Sequence, residues 1–202
     1  METALLVVAF FISVVIHEVS HGLAAYALGD ATAKDAGRLT LNPLPHISLF
    51  WTVLLPAALF FATHGHFAIG MAKPVPVDFS RLRKPRSGMS AVALAGPFSN
   101  LVLAAILALV WSKWKIDFWL YAVYLNLGLA VFNLIPIPPL DGSRIVAGIL
   151  PPPLDKNYLK LERYGFFIVL ALYATGLLYA WVIPGVNFLA KLLNIPSLNF
   201  NG

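Results

Sequence analysis

The chain has 202 residues, 59% of them hydrophobic and only 11% charged, with a mean hydropathy of +0.80, which excludes a soluble globular domain and describes a polytopic membrane protein. The absence of cysteine excludes disulfides and thiolate metal sites and leaves histidine and carboxylate as the strong ligands. A net charge of +5 and a pI near 9.6 are explained in such a chain by topology and anionic lipid headgroups, so a lipid bilayer and no nucleic acid is the expected surrounding.

The first apolar run, residues 3–28, has the length of a membrane span. It lacks a basic leading region and is read as a mature helix rather than a cleaved signal. Near its far end stands His17-Glu18-Val19-Ser20-His21. Two histidines four apart share one helical face, so both imidazoles can reach one zinc ion. Glu18 sits beside the first of them, where a carboxylate can take a proton from water activated by the metal. A chance pattern on a polar face is the alternative. It is weak here, because a charged acid at the centre of a membrane helix costs about 2.5 to 3.5 kcal/mol and needs a local reason.

Gly37 to Pro43 alternates and ends in a turn signal, which predicts a short strand or hairpin. A second apolar run covers residues 47–67 and contains Pro56 and His64-Gly65-His66. Lys73-Pro74-Val75-Pro76-Val77 is extended by its prolines, and Arg81, Arg83, Lys84 and Arg86 mark the cytoplasmic side. Further runs cover residues 89–111 and 118–135. The latter leads into Asn133-Leu134-Ile135-Pro136-Ile137-Pro138-Pro139-Leu140-Asp141-Gly142, whose prolines must end the helix. Asp141 at this break suits a third zinc ligand, and the alternative is that it caps the next helix. A weakly basic interval, 141–163, shares the cytoplasmic side. A fifth run spans 164–183, and 185–202 reads as a short interfacial helix with a frayed end.

A shared zinc ion requires the His21 end of the first run and the Asp141 end of the fourth to meet at one membrane face. Four full crossings would separate them, so residues 47–67 are expected to be re-entrant. His64 and His66 are read as interfacial, with a second metal or a water path as the less favoured alternative, and His46 as a loop histidine.

The two motifs together resemble the site-two protease family of intramembrane zinc metalloproteases, with signatures HExxH and NxxPxPxLDG. Ala95-Gly96-Pro97-Phe98-Ser99-Asn100 resembles the family's AGPxxN sequence. With the GRLTLNP and AKPVPV stretches the likeness runs from Phe11 to Ile145 and is greatest to compact members without a PDZ domain. His46-Ile47-Ser48-Leu49-Phe50-Trp51 departs from the acidic, proline and glycine residues that follow this histidine in related compact members. The resemblance implies one Zn2+ held by His17, His21 and Asp141, Glu18 as general base, and Asn133 as a residue that bonds substrate backbone, stabilises an oxyanion or packs between helices. Asn100 and Asn126 are weaker candidates that bond between helices.

The expected fold is all-α and polytopic, with five to six hydrophobic segments, a membrane-associated β-hairpin and a re-entrant segment. It forms one domain over 1–202, with a catalytic core at about 3–145 and a C-terminal helix and tail at 146–202. The expected function is hydrolysis of peptide bonds in or near transmembrane segments of a protein or peptide substrate, in a prokaryotic inner membrane with the site toward the cytoplasm. The strand of Gly37 to Pro43 would pair with unwound substrate. A non-catalytic scaffold or chaperone for transmembrane segments is the alternative, and the oligomeric state is left open.

Overall fold

The computed structural model describes residues 2–62, 64 and 72–198, and among these the regular structure is entirely helical. Helix α1, Glu2–Ala27, runs without proline through an almost wholly apolar sequence. It stops where Gly29 adopts φ +113°, a left-handed conformation that glycine enters without a Cβ clash, and where the Asp30 N–H returns to the Ala25 carbonyl at 2.9 Å. Two short helices, α2 (Thr32–Asp35) and α3 (Leu55–Ala62), precede α4, Pro85–Trp114. Proline at the first position of α4 sacrifices no hydrogen bond, and Lys115 in the left-handed region closes its other end. Then follow α5 (Asp117–Asn133), α6 (Asp141–Ile149), α7 (Leu154–Leu159), α8 (Gly165–Ala174) and α9 (Leu177–Leu192).

Helix α4 is the central element and packs against α1, α5 and α6. Its interfaces are built from small residues: Ala93, Ala104 and Ala108 of α4, Ala122 and Ala130 of α5, Ala25 of α1 and Ala147 of α6 are all buried. Large side chains point outward instead, with Phe98 65% and Leu109 72% exposed. That distribution suits hydrocarbon, where an exposed leucine costs nothing and helices associate through close backbone approach. Gly148 is one such contact. A Cβ there would lie 2.1 Å from Ser90 Oγ and 2.6 Å from the Arg86 carbonyl, so glycine lets α6 lie directly on α4.

Among the described residues two helices are long and apolar enough to cross a membrane, Ala4–Ala27 and Pro85–Trp114, and a third crossing is available if the bent pair Leu154–Ala174 and Leu177–Leu192 forms one span. Of the expected five to six hydrophobic segments, these two to three are the ones whose described helices reach that length. The 17 residues of α5 reach about 26 Å at 1.5 Å per residue, short of a hydrocarbon core of about 30 Å. Run 47–67 contributes a π-helical turn, Leu49–Leu54, and the eight residues of α3, while His66 lies outside the described residues. Run 164–183 breaks at Gly176, and the two sides of the break differ by 80°. The predicted interfacial helix after Gly185 is the continuation of α9 past Pro184.

The predicted hairpin is corrected. No strand forms between Gly37 and Pro43, because polar side chains take the backbone groups that a ladder would use. The Asn42 N–H bonds to Thr40 Oγ1 at 3.1 Å, the Leu44 N–H bonds to Asn42 Oδ1 at 3.1 Å, and His46 Nε2 donates to the Thr40 carbonyl at 3.0 Å.

Beyond the end of α1, Asp30 is buried and ties two loops together. Its carboxylate accepts from the Thr32 N–H at 3.0 Å, the Thr32 hydroxyl, and the Asp78 N–H at 2.7 Å. Burial pushes the Asp30 carboxyl up, but the bonds from Thr32 and Asp78 outweigh it and hold the group below its ordinary value.

Candidate metal centre

Helix α1 places His17 and His21 one turn apart on its buried face, as their spacing predicts. Asp141 arrives from the first turn of α6. The residue preceding that helix is Leu140, and no side chain caps it, so Asp141 is not spent on a cap. Gly142 makes the approach possible, since a Cβ there would lie 2.3 Å from the Leu134 carbonyl and 2.5 Å from that of Ile135. The proline-rich turn thus folds back beneath the start of α6 and aims the Asp141 carboxylate at α1.

The three side chains converge. His17 Nε2 and His21 Nε2 lie 3.0 Å apart, and Asp141 Oδ2 stands 3.1 Å from the first and 3.3 Å from the second. Ligand atoms bound at about 2.0–2.1 Å around a tetrahedral ion sit roughly 3.3–3.4 Å from one another, so this triangle fits one zinc ion with little adjustment. Among the described residues these three form the one such group of histidine and carboxylate donors.

The tautomers follow from the partners of the other ring nitrogens. His21 Nδ1 faces the Val92 carbonyl at 2.7 Å, and a carbonyl only accepts, so Nδ1 carries the proton. His17 Nδ1 faces Asn100 Oδ1 at 2.6 Å. The Asn100 amide is oriented by its far side, where Nδ2 donates to Asn126 Oδ1 at 3.0 Å and to the Ser13 carbonyl at 3.4 Å. Asn126 is oriented in turn by donating to the Ala122 carbonyl at 2.9 Å. Each imidazole therefore carries a proton on Nδ1 and turns Nε2, the atom that would bind metal, toward the other ring and toward the buried Asp141 Oδ2. Two imidazole nitrogens and a carboxylate oxygen that converge away from water are the donor set of a metal site.

Gly96 completes the cradle. A Cβ on this residue of α4 would lie 2.4 Å from His21 Nε2 and 2.6 Å from His17 Nε2, within the space an ion would use.

Glu18 lies half-buried beside the triad, and one of its carboxylate oxygens, Oε2, accepts the Val75 N–H at 2.8 Å. Asn133 is not among the converging groups, since its Nδ2 donates to the Leu129 carbonyl within α5 at 3.0 Å. His46 is buried and holds its own loop together, and His64 is exposed. The amide of Val75 was not singled out by motif. A signal for it existed, because Pro74 and Pro76 leave Val75 as the sole N–H donor of that three-residue stretch.

The profile of peptidase family M50 matches residues 110–174. Among curated proteins, the chain is 38% identical over 186 residues to YwhC of Bacillus subtilis, covering 85% of this chain and 81% of that protein. It is 32% identical over 184 residues to Rip2 of Mycolicibacterium smegmatis, covering 88% of this chain and 69% of the relative. MJ0392 of Methanocaldococcus jannaschii is 27% identical over 165 residues, covering 79% of this chain and 38% of the relative. All three carry zinc metalloprotease in their names. No solved structure gives a significant match. Two relatives that align over most of their length, and a triad with the dimensions of a zinc site whose histidines lie on a membrane-length helix, lead to one conclusion: the chain belongs to peptidase family M50, the site-two protease family, as a membrane-associated zinc metalloprotease.

Proposed function

We propose that the protein cleaves peptide bonds in or near transmembrane segments of membrane-protein substrates, with His17, His21 and Asp141 as zinc ligands and Glu18 as general base. The observation that carries this reading is the convergence of His17 Nε2, His21 Nε2 and Asp141 Oδ2 beside Glu18 on a helix with the length and apolarity of a membrane span. Zinc, when bound, would polarise a carbonyl and make water a better nucleophile. Glu18 would take a proton from that water on the oxygen left free by Val75 and return it to the leaving amine. Asn100 holds His17 in the tautomer that binds metal, and Val92 does the same for His21. Asn133 would contact substrate at the end of α5, with its second amide hydrogen and its carbonyl oxygen.

An apolar cavity of about 320 Å³ supports the substrate class. It lies between the Phe11, Ile12, Val15 and Ile16 face of α1 and Leu41, Pro43 and Ile47, directly before His17 along the helix. Such walls suit the side chains of a membrane segment better than those of a water-borne peptide. The whole chain, 1–202, acts as one domain. Its basic residues Arg81, Arg83, Lys84 and Arg86 follow the positive-inside rule if the site opens toward the cytoplasm of a prokaryotic cell.

The deciding experiment compares zinc content and cleavage of a synthetic transmembrane substrate by wild type, Glu18→Gln and Asp141→Ala in detergent. Wild type is expected to hold one zinc and cut, Glu18→Gln to hold zinc without cutting, and Asp141→Ala to lose zinc. Undiminished cleavage by Glu18→Gln would end the mechanism and favour a base elsewhere.

A further inference from the structure

Residues 73–75 cross α1 at the level of Glu18, and every backbone polar group from Lys73 N–H to Val75 N–H has a partner. The Lys73 N–H donates to the His46 carbonyl at 2.8 Å. The Lys73 carbonyl accepts from Arg38 Nη2 at 2.8 Å, and the Pro74 carbonyl accepts from the same nitrogen at 3.4 Å. Pro74 has no N–H to satisfy, and the Val75 N–H donates to Glu18 Oε2 at 2.8 Å. The proline after Val75 restricts it to extended backbone, so the strap cannot curl away from the helix. Gly22, one turn beyond Glu18 on the same face, admits the crossing. A Cβ there would lie 2.5 Å from Leu39 Cδ2 and 2.9 Å from Val75 Cγ1.

The Pro74 carbonyl and the Val75 N–H belong to one peptide unit. That unit stands between a buried guanidinium and the carboxylate beside the metal triad, with its dipole aligned from one to the other. Hydrogen bonds arranged in such a chain strengthen one another. Arg38 is 8% exposed, and its Nε has no partner, so the side chain is held at this place at a cost that its two carbonyl contacts must offset.

We infer that Arg38 is a positioning residue for the general base, acting through the Pro74–Val75 peptide to fix the Glu18 carboxylate in the orientation that presents its other oxygen to water. The inference rests on the reading of Glu18 as the proton acceptor. It assigns Arg38 no contact with substrate or metal. Its loss should therefore lower turnover without altering substrate affinity or metal content.

The test uses full-length protein in detergent with a synthetic transmembrane peptide, comparing wild type, Arg38→Met and Arg38→Lys. Arg38→Met, which keeps the stem and removes the donors, is expected to lose about 10–100-fold in kcat, less than the roughly 10²–10⁴-fold that a positioned base supplies, because Glu18 itself remains. KM should stay within about twofold, because ground-state binding is untouched, and zinc content should match wild type. Arg38→Lys should recover part of the loss, since an ammonium can still donate to the Pro74 carbonyl. Residue-resolved amide exchange supplies a readout independent of activity. The Val75 N–H should exchange at least about tenfold faster in Arg38→Met, as expected for a bond whose support is removed. Unchanged kcat, unchanged Val75 exchange, or a kcat loss that merely follows lost zinc would each overturn the role of Arg38. A wild type that holds zinc and does not cut would instead remove the base reading on which the inference stands.

Discussion

His17 and Asn100 are joined across the α1–α4 interface by a 2.6 Å hydrogen bond in which the imidazole Nδ1 donates and the amide Oδ1 accepts. The direction of that bond is set two residues away, by Asn126 donating to the Ala122 carbonyl of α5. A line of polar groups through three apolar helices thus ends at His17, whose Nε2 faces His21 and Asp141. The same line knits the helices together where buried polar groups have no water to turn to.

Replacing Asn100 by leucine should weaken zinc binding by about 10–100-fold, the usual effect of removing the partner of a ligating histidine. Asn126→Leu should weaken it less, because Asn100 keeps the Ser13 carbonyl as a partner. Zinc competition against a chelator measures both. Equal affinities in wild type and Asn100→Leu would show that the His17 orientation is fixed by packing alone.

Gly96→Ala separates the site from the fold. Alanine favours a helix over glycine by about 1 kcal/mol, so α4 itself should not suffer. The added methyl would lie within 2.4–2.6 Å of both Nε2 atoms. The expected outcome is unaltered helicity by circular dichroism together with at least about a tenfold loss of zinc affinity.

The convergence of the candidate metal centre was legible in sequence because its three donors come from two local motifs with rigid geometry. Four residues on a helix fix the separation of His17 and His21, and a proline-enforced break frees Asp141. What escaped were the groups that act through backbone or through absence: the Val75 N–H, the Arg38 contacts to two carbonyls, and the missing Cβ of Gly96. None of these has a side-chain signature aimed at chemistry. The all-helical class followed from apolar run length. The hairpin and the number of spans did not, because alternation over seven residues says nothing of whether Thr40 and Asn42 side chains will take the ladder's hydrogen bonds, and Gly176 breaks a run whose hydropathy is continuous.

Zinc should stabilise the folded protein, because the unfolded chain does not bring Asp141 to α1. With free zinc about a hundredfold above its dissociation constant, linkage gives about 2.7 kcal/mol. Melting in detergent after chelation should therefore occur at lower temperature than with zinc restored. Asp141→Asn should lose that difference, since an amide is a poor ligand and cannot supply the missing negative charge. A zinc-dependent melting temperature that persists in Asp141→Asn would place the third ligand elsewhere.

Asp30 should make the protein sensitive to acid through the loops it joins beyond the end of α1. Its carboxyl lies below 3.8 in the folded state, where Thr32 and Asp78 donate to it, and returns to about that value when the chain unfolds. A depressed folded value means that the ionised group stabilises the fold. Its contribution is complete above about pH 4 and is lost as pH falls through the lower, folded value, where the proton is taken up in both states. Asn at this position keeps one acceptor but no charge, and hydrogen bonds to charged groups contribute about 1.5–3 kcal/mol, so Asp30→Asn should be less stable at neutral pH by an amount of that order. Melting curves collected from pH 7 downward should show the two proteins converging below about pH 4, because only the wild type has this charge to lose. A constant gap between them across that range would mean that Asp30 holds the loops by shape and not by charge.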